Sequence, residues 1–130
     1  MTNYDIFISY RREGGREIAR TIKLALEARG YSNIFFDYNS LRDGVFNEAI
    51  IAAIQNCKDF ILVLSDGAMD RCSNEDDWVA REIRTAITSG CKIIPVKVNL
   101  GNWSWPADFP KDLSILGSIQ FTTLLTNEYF

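Results

Sequence analysis

The sequence predicts an α/β fold in which helices cover both faces of one parallel sheet. Two features of the chain lead to this prediction. Short runs of apolar strand formers alternate with longer segments whose apolar residues recur at helical spacing. The strand-like runs are continuously apolar, which is typical of strands buried on both faces of a sheet. With 130 residues, the chain is long enough for a single domain with its own core.

The predicted elements alternate along the chain. They are strand 4–9, helix 18–28, strand 34–36, helix 46–56, strand 60–65, helix 75–89, and strands 92–98 and 118–122. The first helix is expected to follow a break at Gly14-Gly15 and to end at Gly30, where glycine tolerates a left-handed C-terminal cap. The most apolar run, 60–65, is expected at the centre of the sheet. Pro95 cannot donate a ladder hydrogen bond, so strand 92–98 is expected toward the edge.

The third predicted helix carries an unusual pair of residues. Ser73 or Asn74 is expected as its N-cap, and the acidic residues that follow suit the positive end of a helix dipole. Trp78 and Glu82 are four residues apart on one helical face, where they flank the apolar stripe rather than form it. From this pattern Glu82 is either a solvated surface acid or a functional carboxylate.

Five strands joined by right-handed crossovers favour a flavodoxin-like three-layer sandwich with strand order 2-1-3-4-5. In such sheets ligands bind beyond the carboxyl ends of the strands, where the winding reverses between strands one and three. Tyr10, Arg11 and Arg12 follow strand one, and Ser65 ends strand three. The helix bearing Glu82 comes next and can overhang the same crevice, so these polar residues are expected to converge there.

Composition excludes several classes of function. The formal net charge of −3 and the absence of a Lys/Arg-rich run argue against nucleic acid as a partner. No apolar stretch is long enough to span a bilayer and no signal peptide is visible, so a cytoplasmic protein is expected. The three cysteines lack Cys-x-x-Cys spacing and are expected to be reduced. Because the chain has no histidine, Ser-His and Cys-His catalysis are excluded and no metal site is expected.

Three protein classes with related folds fail at specific residues. A flavodoxin needs a phosphate loop of serine, threonine and glycine after strand one, where this chain has Arg11-Arg12-Glu13. A two-component receiver needs magnesium-binding carboxylates at that place, and Ser9-Tyr10-Arg11-Arg12 supplies none, although Asp66 would suit the phosphoacceptor position. A classical dinucleotide fold needs Gly-x-Gly-x-x-Gly there, and the chain has no such motif.

Four motifs in order resemble those of the Toll/interleukin-1 receptor (TIR) domain, from about residue 4 to the C-terminus. Residues 5–12 resemble its first signature, and 36–46 resemble its second signature, the BB loop. Residues 61–72 resemble its third strand and the following loop. Residues 77–83 resemble the Trp-x-x-x-Glu motif of the enzymatic branch. The chain resembles bacterial TIR proteins and the branch of animal TIR domains that cleaves NAD+.

The resemblance implies that Glu82 is the catalytic residue of an NAD+ glycohydrolase, with NAD+ as the substrate and no cofactor. Nicotinamide leaves NAD+ as a neutral molecule, so no general acid is needed and the missing histidine is no obstacle. One carboxylate beside the ribose can stabilise the oxocarbenium ion that remains. Attack by water then gives ADP-ribose, and attack by the adenine or a ribose hydroxyl gives a cyclic ADP-ribose isomer.

The resemblance also implies roles for other residues. The implied substrate-binding residues are Tyr10, Arg11, Arg12, Asp37, Phe46, Ser65 and Trp78, and those of the BB loop are Leu41, Asp43 and Gly44. The two arginines would lie near the diphosphate or would pair with Asp37 or Asp43 at the surface. Phe46 and Trp78 would face the nicotinamide or adenine, or Trp78 would only prop its helix. Ser65 would line the floor of the pocket, and the BB loop would move when the site assembles.

Family members usually end with a further helix, which would begin where this chain stops, at 126–130. The expectation is therefore one TIR domain, 1–130, excised from the N-terminus of a longer protein, with a fused C-terminal cyclic-nucleotide sensor as a candidate partner. Two functions stay open. One is an NAD+-cleaving enzyme activated by TIR self-association in bacterial antiphage defence, and the other is a non-enzymatic scaffold for TIR–TIR contacts. Scaffold members commonly lack a glutamate at the position of Glu82, which favours the enzyme.

Overall fold

A computed structural model of the chain describes residues 4–36, 46–65, 67–74, 77–98, 105–119 and 122–124. The strands are β1 (Ile6–Ser9), β2 (Ile34–Phe36), β3 (Asp59–Leu64), β4 (Lys92–Val98) and β5 (Thr122–Leu124). The helices are α1 (Arg12–Ala28), α2 (Phe46–Gln55) and α3 (Trp78–Ser89), with a 3-10 helix at Lys111–Ser118. The strands form one parallel sheet in the order β2-β1-β3-β4-β5, which confirms the predicted fold class.

Helices pack on both faces of the sheet because its central strands are apolar on both sides. All four residues of β1 are buried, as are all of β3 except its first. One core cluster joins the sheet to α2, α3 and the 3-10 helix. In it the ring of Phe7 stacks on those of Phe35 and Phe60, with centroids 4.8 and 5.5 Å away. The second cluster joins the opposite face of the sheet to α1.

The start of α1 differs from the prediction. The helix begins at Arg12 and includes Gly14 and Gly15, so the predicted break is wrong. Gly14 has a left-handed backbone with φ of 83°, which glycine adopts without strain. A Cβ atom on Gly15 would lie 3.1 Å from Oγ of Ser65, at the end of β3. Gly15 therefore lets the first turn of α1 approach the sheet closely, and Gly14 supplies the left-handed residue within that turn.

The start of α3 also differs from the prediction. Its N-cap is Asp77, whose Oδ2 accepts a hydrogen bond of 3.0 Å from the backbone N–H of Ala80. Ser73 and Asn74, the expected caps, lie in a turn before the helix. Asp77 is the better cap because its carboxylate contacts both the helix N-terminus and the guanidinium of Arg11, which is described below. Gly90 follows the end of α3 as predicted, and its left-handed backbone, with φ of 75°, forms the C-cap.

The last strand lies later in the chain than predicted. The strand predicted at 118–122 is found at Thr122–Leu124 (β5), and residues 111–118 form the 3-10 helix, which the sequence did not predict. Leu113 and Leu116 are fully buried and three residues apart, which matches the three-residue repeat of a 3-10 helix. β5 pairs with β4, which places β4 one strand in from the edge, as Pro95 indicated. No helix in the described ranges is long and apolar enough to cross a membrane.

Candidate active site

The carboxyl ends of β1 and β3 meet the first turns of α3 at the point where the winding of the sheet reverses. Three polar side chains from three elements are buried there: Ser9 of β1, Ser65 after β3 and Glu82 of α3. Each has at most 1% of its surface exposed. Because buried polar groups are rare in a core without a structural or functional reason, this edge is the candidate active site.

Glu82 lies entirely inside the protein. Its exposed fraction is 0%, and it belongs to the buried face of α3 together with Val79 and Ile83. It is therefore neither a solvated surface acid nor a flank of the apolar stripe. The hydroxyl of Ser9, 73 positions earlier, donates a hydrogen bond of 2.7 Å to Oε1 of Glu82. Burying a carboxylate costs several kcal/mol unless hydrogen bonds compensate, so this contact fixes and stabilises the side chain.

Arg11 forms a buried clasp between β1 and the start of α3. Its side chain is 9% exposed, and its guanidinium pairs with both carboxylate oxygens of Asp77, with Nη2 3.0 Å from Oδ2. Nε and Nη2 also donate to the backbone oxygen of Ala68, at 3.0 and 2.8 Å. The observed partner of Arg11 is thus the buried Asp77, whereas the expected partners Asp37 and Asp43 lie outside the described residues. The guanidinium therefore binds groups of the chain that lies between β3 and α3.

Asp77 connects this clasp to the helix that carries Glu82. The same carboxylate that binds Arg11 also caps the first turn of α3, five residues before Glu82. Five residues advance a helix by about 7.5 Å, a little more than one turn. The position of Glu82 relative to Ser9 therefore depends on where the clasp fixes the first turn.

Ser65 and Tyr10 border this centre. Ser65 is 1% exposed and contacts the first turn of α1, since a Cβ atom on Gly15 would lie 3.1 Å from its hydroxyl oxygen. Tyr10 is buried, and its ring stacks on that of Phe36 with a centroid distance of 5.1 Å. The aromatic pair extends from the edge of the site to the end of β2. Tyr10 and Ser65, both predicted site residues, thus lie at the same edge of the sheet as Glu82.

Trp78 is the first residue of α3 and is partly exposed. Its ring packs against the core cluster that contains α3, and the guanidinium carbon of Arg81 lies 4.9 Å from the ring centroid. The ring thus contributes to packing and also makes a cation–π contact at the surface.

Several predicted site residues lie outside the described part of the structure. They are Asp37, Leu41, Asp43, Gly44 and the side chains of Arg12 and Phe46. Their roles stay predictions.

No described thiol is a candidate nucleophile at this edge. Burial, together with the nearby charge of Asp77, raises the pKa of the Cys72 thiol to about 12, so it stays protonated at neutral pH. Within the described ranges, no three His, Cys, Asp or Glu side chains come together as metal ligands. The chemistry of the described site rests on one buried carboxylate and the hydroxyls around it.

Sequence reasoning identified Glu82, Tyr10 and Ser65 but missed two partners. From the sequence alone, Ser9 is only the last residue of a strand, and Asp77 is one of several acids at a helix N-terminus. A useful signal was present, because Ser9 is the one polar residue in the four-residue strand β1. A hydroxyl that ends a buried strand needs a hydrogen-bond partner, and Glu82 is such a partner.

Comparisons with known proteins agree with this architecture. A family model described as TIR domain matches residues 6–129. The chain is 41% identical over 115 residues to the protein named NAD(+) hydrolase SARM1 of Danio rerio. It is 38% identical over 112 residues to NAD(+) hydrolase sarm1 of Drosophila melanogaster. These alignments cover 86% and 84% of this chain but only 16% and 8% of the two relatives.

A solved structure shows the same fold at lower identity. The crystal structure of the TIR domain of the Toll-related receptor TRR-2 from Hydra magnipapillata matches with a TM-score of 0.60 and 23% identity. The match covers 92% of this chain and 83% of that one.

Proposed function

The chain belongs to the TIR domain family, and on this premise we propose that it is an NAD+ glycohydrolase with Glu82 as the catalytic residue. The observation that carries the proposal is the fully buried Glu82 carboxylate. It accepts a hydrogen bond from Ser9 at the edge where the winding of the sheet reverses. The printed names of the relatives, NAD(+) hydrolases, support the substrate class.

The reaction breaks the bond between C1 of the ribose and the nicotinamide nitrogen. Both electrons of this bond move to the pyridinium ring, so nicotinamide leaves as a neutral molecule and the ribose becomes an oxocarbenium ion. The Glu82 carboxylate stabilises this cation more strongly than the neutral ribose, and the barrier is lowered for that reason. Water then attacks C1 and loses a proton to give ADP-ribose. Attack by the adenine or a ribose hydroxyl instead gives a cyclic isomer.

The burial of Glu82 has a consequence for activation. With 0% of its surface exposed, its carboxylate can contact a ribose only after the groups that cover it have moved. Self-association of TIR domains would supply this movement, with the BB loop of one copy completing the site of another. An enzyme that is inactive as a dilute monomer and active when assembled follows from this arrangement.

The remaining residues of the edge divide between positioning and substrate contact. Arg11 acts through Asp77 by fixing the first turn of α3, because its guanidinium is engaged within the protein. Arg12 is then the cation proposed for the diphosphate, and Phe46 and Trp78 are the rings proposed for the nicotinamide or adenine. Tyr10 and Ser65 would line the site, and Asp37 would brace the BB loop.

We further propose that this activity serves bacterial antiphage defence, with a sensor domain fused to the chain controlling assembly. A cyclic-nucleotide sensor is one candidate for that partner. Its role would be to hold TIR domains together until the covered carboxylate is reached by substrate.

The test is nicotinamide release from NAD+ by the concentrated chain in a crowding agent. Glu82→Gln keeps an oxygen that can accept the Ser9 hydrogen bond but removes the charge, and we expect release to fall by a factor of about 100 to 1,000. Glu48→Gln, at an exposed position in α2, is the matched control and should release nicotinamide at the wild-type rate.

Two results would contradict the proposal in different ways. Release by Glu82→Gln at the wild-type rate would keep the activity but remove Glu82 from it. No release by the wild-type chain under crowding, at any concentration, would instead support the scaffold function.

A further inference from the structure

A groove of about 290 Å³ lies between α1 and the end of β2. It is lined by Arg16, Arg20, Lys23, Leu24 and Phe36. α1 and Phe36 belong to the core cluster on one face of the sheet, whereas α3 and most of the candidate active site belong to the other. The groove is thus separate from the Glu82 carboxylate. Its volume is at the lower end of the range for small-molecule sites.

The groove concentrates positive charge. Arg16, Arg20 and Lys23 follow one another at spacings of four and three residues, which places them in one row along α1. Lys23 pairs with Glu27 at 3.1 Å. Arg16 and Arg20 are exposed and make no ion pair with any residue in the described ranges. Like charges four residues apart repel each other along a helix, so an anion between them would be stabilising.

The groove also has an apolar side. Leu24 is 54% exposed, one of three large hydrophobic side chains in the described ranges with such exposure. Phe36 is nearly buried and has one face stacked on Tyr10. An exposed leucine beside two guanidinium groups that have no ion-pair partner in the described ranges suits a ligand that combines an anionic group with an apolar one.

We propose that this groove binds a small, soluble phosphate ester, with the phosphate on Arg16 and Arg20 and the apolar part against Leu24 and Phe36. Two guanidinium forks match the oxygens of a phosphate better than those of a monovalent anion. An extended polyanion is disfavoured because the chain as a whole carries a formal charge of −3, which repels it outside the groove. The inference rests on residues that the proposed NAD+ cleavage does not use.

The test is a titration of the isotope-labelled chain with phenyl phosphate, followed by NMR of the backbone amides. Amide signals of α1 and Phe36 should shift and saturate, and inorganic phosphate should bind about tenfold more weakly because it lacks the apolar part. The double variant Arg16→Gln/Arg20→Gln should raise the dissociation constant for phenyl phosphate by about tenfold or more. Arg29→Gln changes an exposed arginine just beyond the end of α1 and should leave affinity within about twofold.

Each arm has an outcome that overturns the proposal. The phosphate site is refuted if phenyl phosphate at about 10 mM shifts no signal of the groove, or if the Arg29 variant weakens binding as much as the double variant. Equal affinity for inorganic phosphate and phenyl phosphate would refute the apolar contact. Amide dispersion of each variant verifies that it is folded. Because nicotinamide release is not the readout, failure here leaves the proposed NAD+ cleavage untouched.

Discussion

Two arginine–aspartate pairs connect α3 to its surroundings, and they differ in burial. Arg11 and Asp77 meet at the N-terminus of the helix with side chains 9% and 5% exposed. Arg84 and Asp112 meet in its middle with side chains 39% and 58% exposed, Nε lying 2.5 Å from Oδ2. The chemistry of the two pairs is the same, but the first has additional hydrogen bonds to the backbone of Ala68 and Ala80.

This difference indicates which pair organises the site. An exposed pair exchanges water for a partner with little net change in free energy. A buried pair strongly disfavours any arrangement that leaves one of its charges alone. Arg11 and Asp77 therefore fix the start of α3, and with it Glu82, whereas Arg84 and Asp112 only join the helix surface to the 3-10 helix.

Asp77→Ala should have the largest effect. It leaves the Arg11 guanidinium buried without its carboxylate and removes the N-cap of α3, so we expect a loss of about 3–5 kcal/mol in the free energy of unfolding. Denaturation by urea measures this loss. Asp112→Ala is the matched control and should change stability by less than about 1 kcal/mol. If Asp77→Ala and Asp112→Ala lose the same free energy of unfolding, the buried pair is no more important for stability than the exposed one.

Arg11→Lys tests whether the fork of the guanidinium is needed beyond its charge. A lysine can reach one carboxylate oxygen but cannot pair with Asp77 twice while also donating to Ala68. We expect a loss of about 2–3 kcal/mol in the free energy of unfolding from the unpaired acceptors. Arg84→Lys should lose less than about 0.5 kcal/mol in the same assay. If both lysine variants are as stable as the wild type, the clasp depends on charge alone.

The fold was predictable because it depends on local patterns. The apolar runs gave β2 and β4 with their observed bounds, and α2 within one residue of its end. The errors arose where a tertiary contact overrides the local signal. Gly14-Gly15 resembles a chain break, but both residues belong to α1, and Gly15 allows the helix to approach Ser65 closely.

The candidate site was predictable only in part. Glu82 stood out because ordinary helix packing does not require a carboxylate on that face. Its hydrogen bond to Ser9 spans 73 positions, and the pairing of Arg11 with Asp77 spans 66, so neither follows from residue spacing. Such partners become visible only when the sheet order brings the ends of β1 and β3 together with α3.

Ser9→Ala extends the comparison from the clasp to Glu82 itself. It removes the hydroxyl that donates to Oε1 of a fully buried carboxylate, and hydrogen bonds to charged groups contribute about 1.5–3 kcal/mol. We expect a loss of about 2 kcal/mol in the free energy of unfolding. Ser89→Ala, at an exposed position in the last turn of α3, should stay within about 0.5 kcal/mol of the wild type. If Ser9→Ala has the same free energy of unfolding as the wild type, the buried Glu82 does not depend on this contact.

The smallest effect is expected from Asp112→Asn, and its pH dependence identifies its origin. The hydrogen bond from Arg84 lowers the pKa of Asp112 below its ordinary value of 3.8. A carboxyl group whose pKa is lower in the folded state stabilises the fold above its unfolded pKa, and this contribution disappears as the pH falls through the folded pKa. The wild type should therefore exceed the variant in free energy of unfolding by about 0.5 kcal/mol near pH 7, and the difference should shrink in acid and vanish once Asp112 is protonated in the folded state as well. Urea denaturation of both proteins from neutral pH into the acid range measures it. A difference that persists unchanged in acid would mean that the exposed pair acts through packing, and the contrast with the buried clasp would then be one of shape and not of charge.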